Sequence, residues 1–150
     1  MEKSLIIMKP DSIQRGLAGE IISRLERKGL KIIGIKMMTL DSALLKAHYA
    51  HIVDKPFYKD VEEFMKSSPA IAMAVEGKEC INSIRIIVGS TNPLEAQSGT
   101  IRGDLALATG RNLVHASDSS ENGAKEVARF FEASELFDYD KSEYLHVYEG

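Results

Sequence analysis

A chain of 150 residues with 44% hydrophobic content has enough apolar material for one compact domain spanning 1–150, and its net charge of −3 offers no global basic field to nucleic acid or a membrane surface. Cys80 is the only cysteine, so no intramolecular disulfide forms, and a reducing, cytoplasmic setting is expected. No apolar run nears the ~18 residues that span a bilayer, and the apolar part of MEKSLIIMKP is too short for a signal peptide, so a soluble protein is expected.

Leu5-Ile6-Ile7-Met8 is an apolar run stopped by Pro10 and reads as a buried strand with Lys9 at its end. Leu17, Ile21 and Leu25 recur every four residues and predict an amphipathic helix closed by Lys28-Gly29. Residues 30–40, rich in isoleucine, predict a second strand. Asp41 is a good N-cap for a helix through about His51, with Leu45, Tyr49 and Ile52 on one side. Pro56 opens a further short helix carrying Val61, Phe64 and Met65, and residues 70–76 (AIAMAVE) read as a third strand, apolar on both faces. Residues 79–88 fit either strand or helix; the stripe Ile81, Ile84, Val88 with Gly89 behind it favours helix. Ser90 to Asn112 reads as a long loop punctuated by Asn92-Pro93, Gly99, Gly103 and Gly110, and a loop of that length is more often functional than not. Leu113 to Ala116 predicts the fourth strand, followed by a last long helix. The tail from Leu136 to Gly150 has aromatics but no clear period.

The order β α β α α β α β α contains β-α-β-β-α-β. It predicts an α+β sandwich: a ferredoxin-like split βαβ with a four-stranded antiparallel sheet covered by helices. The fold says nothing about function.

The residues that can carry chemistry cluster around His115. It stands at a strand exit, followed at once by Ala-Ser-Asp-Ser and a helix whose buried face is Val127, Phe130 and Phe131. Asp118 and Glu121 have the spacing of a capping box, with Ser117 as an alternative cap. Helical side chains lean toward the N-terminus, so Glu126 can look back at His115. An imidazole with a carboxylate on one nitrogen is a plausible nucleophile toward phosphorus, and backbone N–H groups at a helix start favour a phosphoryl group. The structural readings stand beside this one: a strand-end histidine as scaffolding, Ser117-Asp118-Ser119 as an ordinary cap cluster, Glu126 as a solvated carboxylate. Lys9, Arg85 and Arg102 are the cations an acidic protein needs around a polyphosphate, though each also has a bland surface or helix-end reading. Thr91 and Asn112 flank the long loop, and Phe57 follows Pro56. The common phosphate loops, the protein-kinase elements and Cys/His metal spacings are absent from the sequence.

At this point the chain resembles the nucleoside diphosphate kinase family. The signature Asn-x-x-His-Gly/Ala-Ser-Asp-Ser appears as Asn112-Leu113-Val114-His115-Ala116-Ser117-Asp118-Ser119. Met8-Lys9-Pro10-Asp11, Gln14-Arg15-Gly16-Leu17, His48-Tyr49, Pro56-Phe57, residues 89–93 (GSTNP) and residues 99–104 (GTIRGD) match in the family's order and spacing. The resemblance implies a ping-pong transfer of a γ-phosphoryl group from a nucleoside triphosphate, typically ATP, to a nucleoside diphosphate, through phosphohistidine at Nδ1 of His115. It implies that Glu126 orients the ring with support from Ser117, and that Tyr49 lines the histidine pocket. Arg85, Thr91 and Arg102 would bind phosphates, Lys9 phosphate and sugar, and Asn112 the sugar. Phe57 would stack on the base with Val61 beside it. Mg²⁺ would arrive on the nucleotide phosphates with no dedicated protein metal site. The family's oligomers imply a homo-oligomer, and a tail ending Tyr148-Glu149-Gly150 favours hexamer over tetramer. No nucleic acid or membrane partner is expected, and stacking without hydrogen-bond readout implies broad base and sugar tolerance. Ser90 stands where some relatives carry an acid, and Phe130 where some carry tryptophan. Two competing readings are a nucleotide-binding regulatory module without turnover, and a structural oligomer with His115 as scaffolding.

Overall fold

A computed structural model of the chain describes residues 1–149. Strands β1 (Glu2–Met8), β2 (Lys31–Met38), β3 (Ala70–Gly77) and β4 (Val114–Ala116) form one antiparallel sheet in the order β2-β3-β1-β4. Helices α1 (Pro10–Gln14) and α2 (Ala18–Arg27) connect β1 to β2, and α3 (Ser42–His48) and α4 (Tyr58–Lys66) connect β2 to β3. Helices α5 (Cys80–Val88) and α6 (Ile101–Leu105) lead to β4, with α7 (Ser120–Phe130) and α8 (Tyr144–Val147) behind it. This is the split βαβ arrangement predicted from the element order.

The apolar character of β1 at successive positions follows from burial on both faces of the sheet. Ile6 and Met8 join Met73 and Val75 beneath α2 and α5, where Ile21, Leu25 and Ile84 are fully or almost fully buried. Leu5 and Ile7 join Ala72 and Ala74 beneath α3, α4 and α7, with Leu45, Met65, Val127 and Phe130. Each of the large side chains among these contributes roughly 1.5–3 kcal/mol when fully buried.

Several boundaries differ from the sequence reading. The helix capped by Asp41, which accepts from Leu44 N at 2.8 Å, ends at His48 rather than His51. Tyr49 is its C-cap, and residues 50–54 turn. The stretch read as a long loop holds a 3₁₀ turn, Pro93–Glu95, capped by Asn92, and α6, capped by Thr100. These caps were visible as residue types, but the helical runs behind them are too short to show a period. For the same reason α1, opened by Pro10 at its first turn, and α8 escaped prediction. The fourth strand begins at Val114, because Leu113 adopts φ 77° and cannot join a ladder. In the tail, the Lys31 ammonium donates to Tyr139 O at 2.7 Å and lies 4.9 Å from the Tyr139 ring centroid, which pins the tail to β2. Gly150, the last residue of that tail, lies outside the described residues. Among the described residues no helix is long and apolar enough to cross a membrane.

Gly123 marks where α7 crosses β1. A Cβ there would lie 2.1 Å from the Lys3 carbonyl oxygen, a contact only backbone movement relieves. Alanine is the better helix former by about 1 kcal/mol. Gly123→Ala is nonetheless expected to destabilise the protein by about 2 kcal/mol through overpacking. The check is a lower urea midpoint with an unchanged m-value.

Candidate active site

The sheet's alternation decides where His115 points. Val114 and Ala116 belong to the core under α2 and α5, so His115 between them faces the opposite side, which α7 covers. There its Nε2 meets Glu126 Oε1 at 2.7 Å, with side-chain exposures of 21% and 15%. Ser117 Oγ donates to the same Glu126 oxygen at 2.8 Å and accepts from Leu5 N at 2.9 Å. One hydroxyl thus ties the carboxylate to β1. Burial pushes the Glu126 carboxyl upward, but the bond and charge of His115 and the Ser117 hydroxyl outweigh it and hold the group below its usual range.

Ser117 is therefore not the helix cap, and neither is Asp118. The N-cap of α7 is Ser119, whose Oγ accepts from Asn122 N at 3.1 Å. Asp118 instead accepts from the Asn122 side chain at 2.7 Å, and Glu121 pairs with Lys125 at 3.0 Å. The capping box read from the spacing does not form, because Asp118 and Glu121 take these side-chain partners instead, and Ser117 is fully engaged with β1 and Glu126.

His115 opens into a cleft of about 600 Å³ lined, among others, by Lys9, Tyr49, Arg85, Thr91, Arg102, Asn112 and Glu126. The sequence reading named all of these, and the fold brings them together. The Lys9 ammonium donates to Asn112 Oδ1 at 2.9 Å, and Asn112 Nδ2 donates to Thr91 O at 2.9 Å. Arg85, from α5, donates to Ala116 O at 3.3 Å. Arg102, from α6, donates to the carbonyls of Asn112, Gly89 and Val114 at 3.2, 3.0 and 2.6 Å. Burial, and then the Arg85 charge, push Arg102 down to about 10. Burial, and then Arg102, push the Lys9 ammonium down to about 8, with Asp11 pulling the other way. Burial pushes Tyr49 up to about 12, so its phenol stays protonated.

Phe57 and Val61 stand apart from this lining. Phe57 is the N-cap of α4 and 52% exposed, and Val61 is half-buried against the second core. Arg111 reaches across to α4, its guanidinium carbon 3.8 Å from the Phe64 ring centroid.

The sequence reading gave no role to His48. Its ring meets His115 edge-on at a centroid distance of 4.6 Å and packs likewise on Phe130 at 5.3 Å. Burial first, and then the His115 charge, push its imidazolium far down, so a neutral ring walls His115. Asp11 was also passed over; its Oδ2 accepts from Leu113 N at 3.0 Å. Both residues lie inside motifs the sequence reading quoted, but their burial depends on packing. Among the described residues no group of three or more His, Cys, Asp or Glu could hold a metal ion.

Residues 2–136 match the family model for nucleoside diphosphate kinase. A nucleoside diphosphate kinase of Staphylococcus saprophyticus is 51% identical over 149 residues, covering 99% of this chain and all of the relative. That of Methanobrevibacter smithii is 49% identical over 149 residues, with 99% of each chain covered. The structure of a halophilic nucleoside diphosphate kinase from Halobacterium salinarum in complex with CDP superposes with a TM-score of 0.96 at 42% identity, covering 99% of both chains. Fold and relatives together define an enzyme, a phosphotransferase of nucleotide metabolism. The chain belongs to the nucleoside diphosphate kinase family.

The desolvated Lys9 has a measurable consequence. Between about pH 8 and 10.5 the unfolded chain holds a proton that the folded protein has lost, so stability from this group rises with pH across that window. Lys9→Met is expected to be more stable than the wild type at neutral pH, by about 2 kcal/mol. That advantage closes as pH climbs through the window, which urea unfolding at a series of pH values measures.

Proposed function

We propose that this single domain exchanges γ-phosphoryl groups between nucleoside triphosphates and diphosphates in two steps through His115. The observation that carries this reading is the 2.7 Å bond from Nε2 to Glu126 inside a cleft lined by Lys9, Arg85 and Arg102. With the ring proton on Nε2, facing the carboxylate, the lone pair sits on Nδ1. Nδ1 attacks the γ-phosphorus, the N–P bond forms as the bond to the β,γ-bridging oxygen breaks, and the nucleoside diphosphate leaves with that electron pair. Glu126 stabilises the cationic ring, held in place by Ser117. A terminal phosphate oxygen of a second diphosphate then attacks the phosphohistidine and restores the free imidazole. Positioning and charge stabilisation supply most of the catalysis in such a transfer.

Arg85, Thr91 and Arg102 take the phosphates, Lys9 phosphate and sugar, and Asn112 the sugar, while Tyr49 lines the wall beside His115. Phe57 offers one exposed ring face to the base and Val61 supports it from the next turn. An open stacking face reads no base edge, so bases and both sugars are accepted alike. A divalent ion, Mg²⁺ in this reading, arrives with the nucleotide. Of the carboxylates in the lining, Glu126 is committed to His115 and Ser117, so Asp118, which accepts from the Asn122 side chain, would be the one to face the hydrated ion. When bound, the ion neutralises phosphate charge.

A homo-oligomer, hexamer before tetramer, fits two exposed apolar regions. Ile35 and Met37 lie on the outer strand β2, and Leu94 and Leu107 on the segment between α5 and β4. A cytoplasmic location suits the free, buried Cys80.

Incubation with γ-labelled ATP and Mg²⁺ is expected to give an acid-labile, alkali-stable phosphoprotein that added GDP discharges. Bound ATP with no labelled protein refutes the two-step reading. Glu126→Gln is expected to lower the transfer rate about 10–100-fold, the worth of one hydrogen bond to a charged group, with nucleotide affinity nearly kept. A strong preference for one base in competition between diphosphates contradicts the stacking account.

A further inference from the structure

Leu113 is fully buried and adopts φ 77°, a region that bulky side chains seldom occupy. Such a conformation survives only where neighbours hold it. Val114 N donates to Asn112 O at 2.9 Å and closes the turn across Leu113, and three groups from residues 9–12 brace it. Asp11 Oδ2 accepts from Leu113 N at 3.0 Å, while Leu113 O accepts from Lys9 N at 2.9 Å and Ser12 Oγ at 2.6 Å. The clamped residue sits between Asn112, which receives the Lys9 ammonium, and the strand that carries His115. The turn therefore sets both the sugar-side and the histidine side of the cleft. Asp11 is 9% exposed, and its Oδ1 has no hydrogen-bond partner among the described residues. A buried carboxylate with an idle oxygen is costly unless its charge serves a neighbour.

We propose that Asp11 is a positioning residue of the transfer site: its carboxylate holds Leu113 in the left-handed turn that aims His115, and its negative charge backs the Lys9 ammonium. The proposal rests on the reading of Lys9 and His115 given above. The groups around Lys9 are Asp11 of α1, Arg102 of α6, Arg85 of α5, Asn112, and His115 of β4. Burial and Arg102 favour loss of the Lys9 proton, and Asp11 opposes it. Removing that charge while keeping the acceptor on Leu113 N separates the two roles.

The test is the pH dependence of kcat/KM for a nucleoside diphosphate in the wild type, Lys9→Arg, Asp11→Asn and Ser12→Ala. An alkaline limb near pH 8 in the wild type is expected to vanish in Lys9→Arg, since a guanidinium does not titrate there. In Asp11→Asn the limb is expected to move down by about one pH unit. In Ser12→Ala, which loosens the clamp without touching charge, the limb is expected to stay while kcat falls about tenfold. A limb that persists in Lys9→Arg refutes the reading of Lys9 and the electrostatic half of the proposal with it. A limb lost in Lys9→Arg but unmoved in Asp11→Asn overturns the role of Asp11 alone. If Asp11→Asn does not fold, an unchanged kcat in Ser12→Ala overturns the positioning half.

Discussion

Arg102 is only 4% exposed, so its guanidinium must find acceptors within the protein, and it finds them on the backbone at the two ends of its own segment. Gly89 O lies at the start of the stretch between α5 and β4; Asn112 O and Val114 O lie at its end. The bonds offset the desolvation of the charge and satisfy carbonyls that burial would leave orphaned. They also draw the two ends of the segment together. The cleft depends on that closure. Thr91 enters from one end and Asn112 from the other; Asn112 donates to Thr91 O and receives the ammonium of Lys9, the residue that follows β1. Although burial and Arg85 lower its affinity for the proton, Arg102 stays charged at neutral pH. The same group is a scaffold and a cation of the cleft lining.

His115 depends on a different constraint, the period of two along a strand. Val114 and Ala116 are claimed by one core, so His115 has no choice of face. α7 lies on that face because Gly123 lets it cross β1 at close range, and three residues on Glu126 meets the ring. Ser117 then locks the carboxylate to Leu5 N. Around the imidazole, His48 and Phe130 form a wall that is neutral at physiological pH. The carboxylate and the cations of the cleft act there with little screening.

Unfavourable features gather in this one region. Lys9 is desolvated, Leu113 is left-handed, and Asp11 keeps an idle oxygen in the interior. None of them improves the fold. They are carried by two well-filled cores, one on each face of the sheet, and they hold polar groups where an anionic ligand would meet them. Local rules broken beside a cleft and obeyed elsewhere are the usual imprint of a working site.

Periodicity alone determined much of this molecule. The long amphipathic helices, the strands covered on both faces, the helix chosen over strand at Cys80–Val88 and the split βαβ order could all be read from apolar spacing. The cleft residues could be read as types: a strand-end histidine, a carboxylate two turns into a helix, scattered cations. Their convergence could not be derived from spacing, and only the family motifs implied it. The tertiary structure decided the rest. It made Ser119 the cap because Ser117 was needed by β1 and Glu126, and it ended α3 at His48, which it buried against His115. It turned Leu113 left-handed because Asp11 and Ser12 hold it, and it left Phe57 on the surface. A helix of four or five residues has too few turns to show a pattern, and a hydrogen bond between residues a hundred positions apart has no local signature. Sequence fixes which faces must be buried; only the packed chain decides which polar groups are left to face each other.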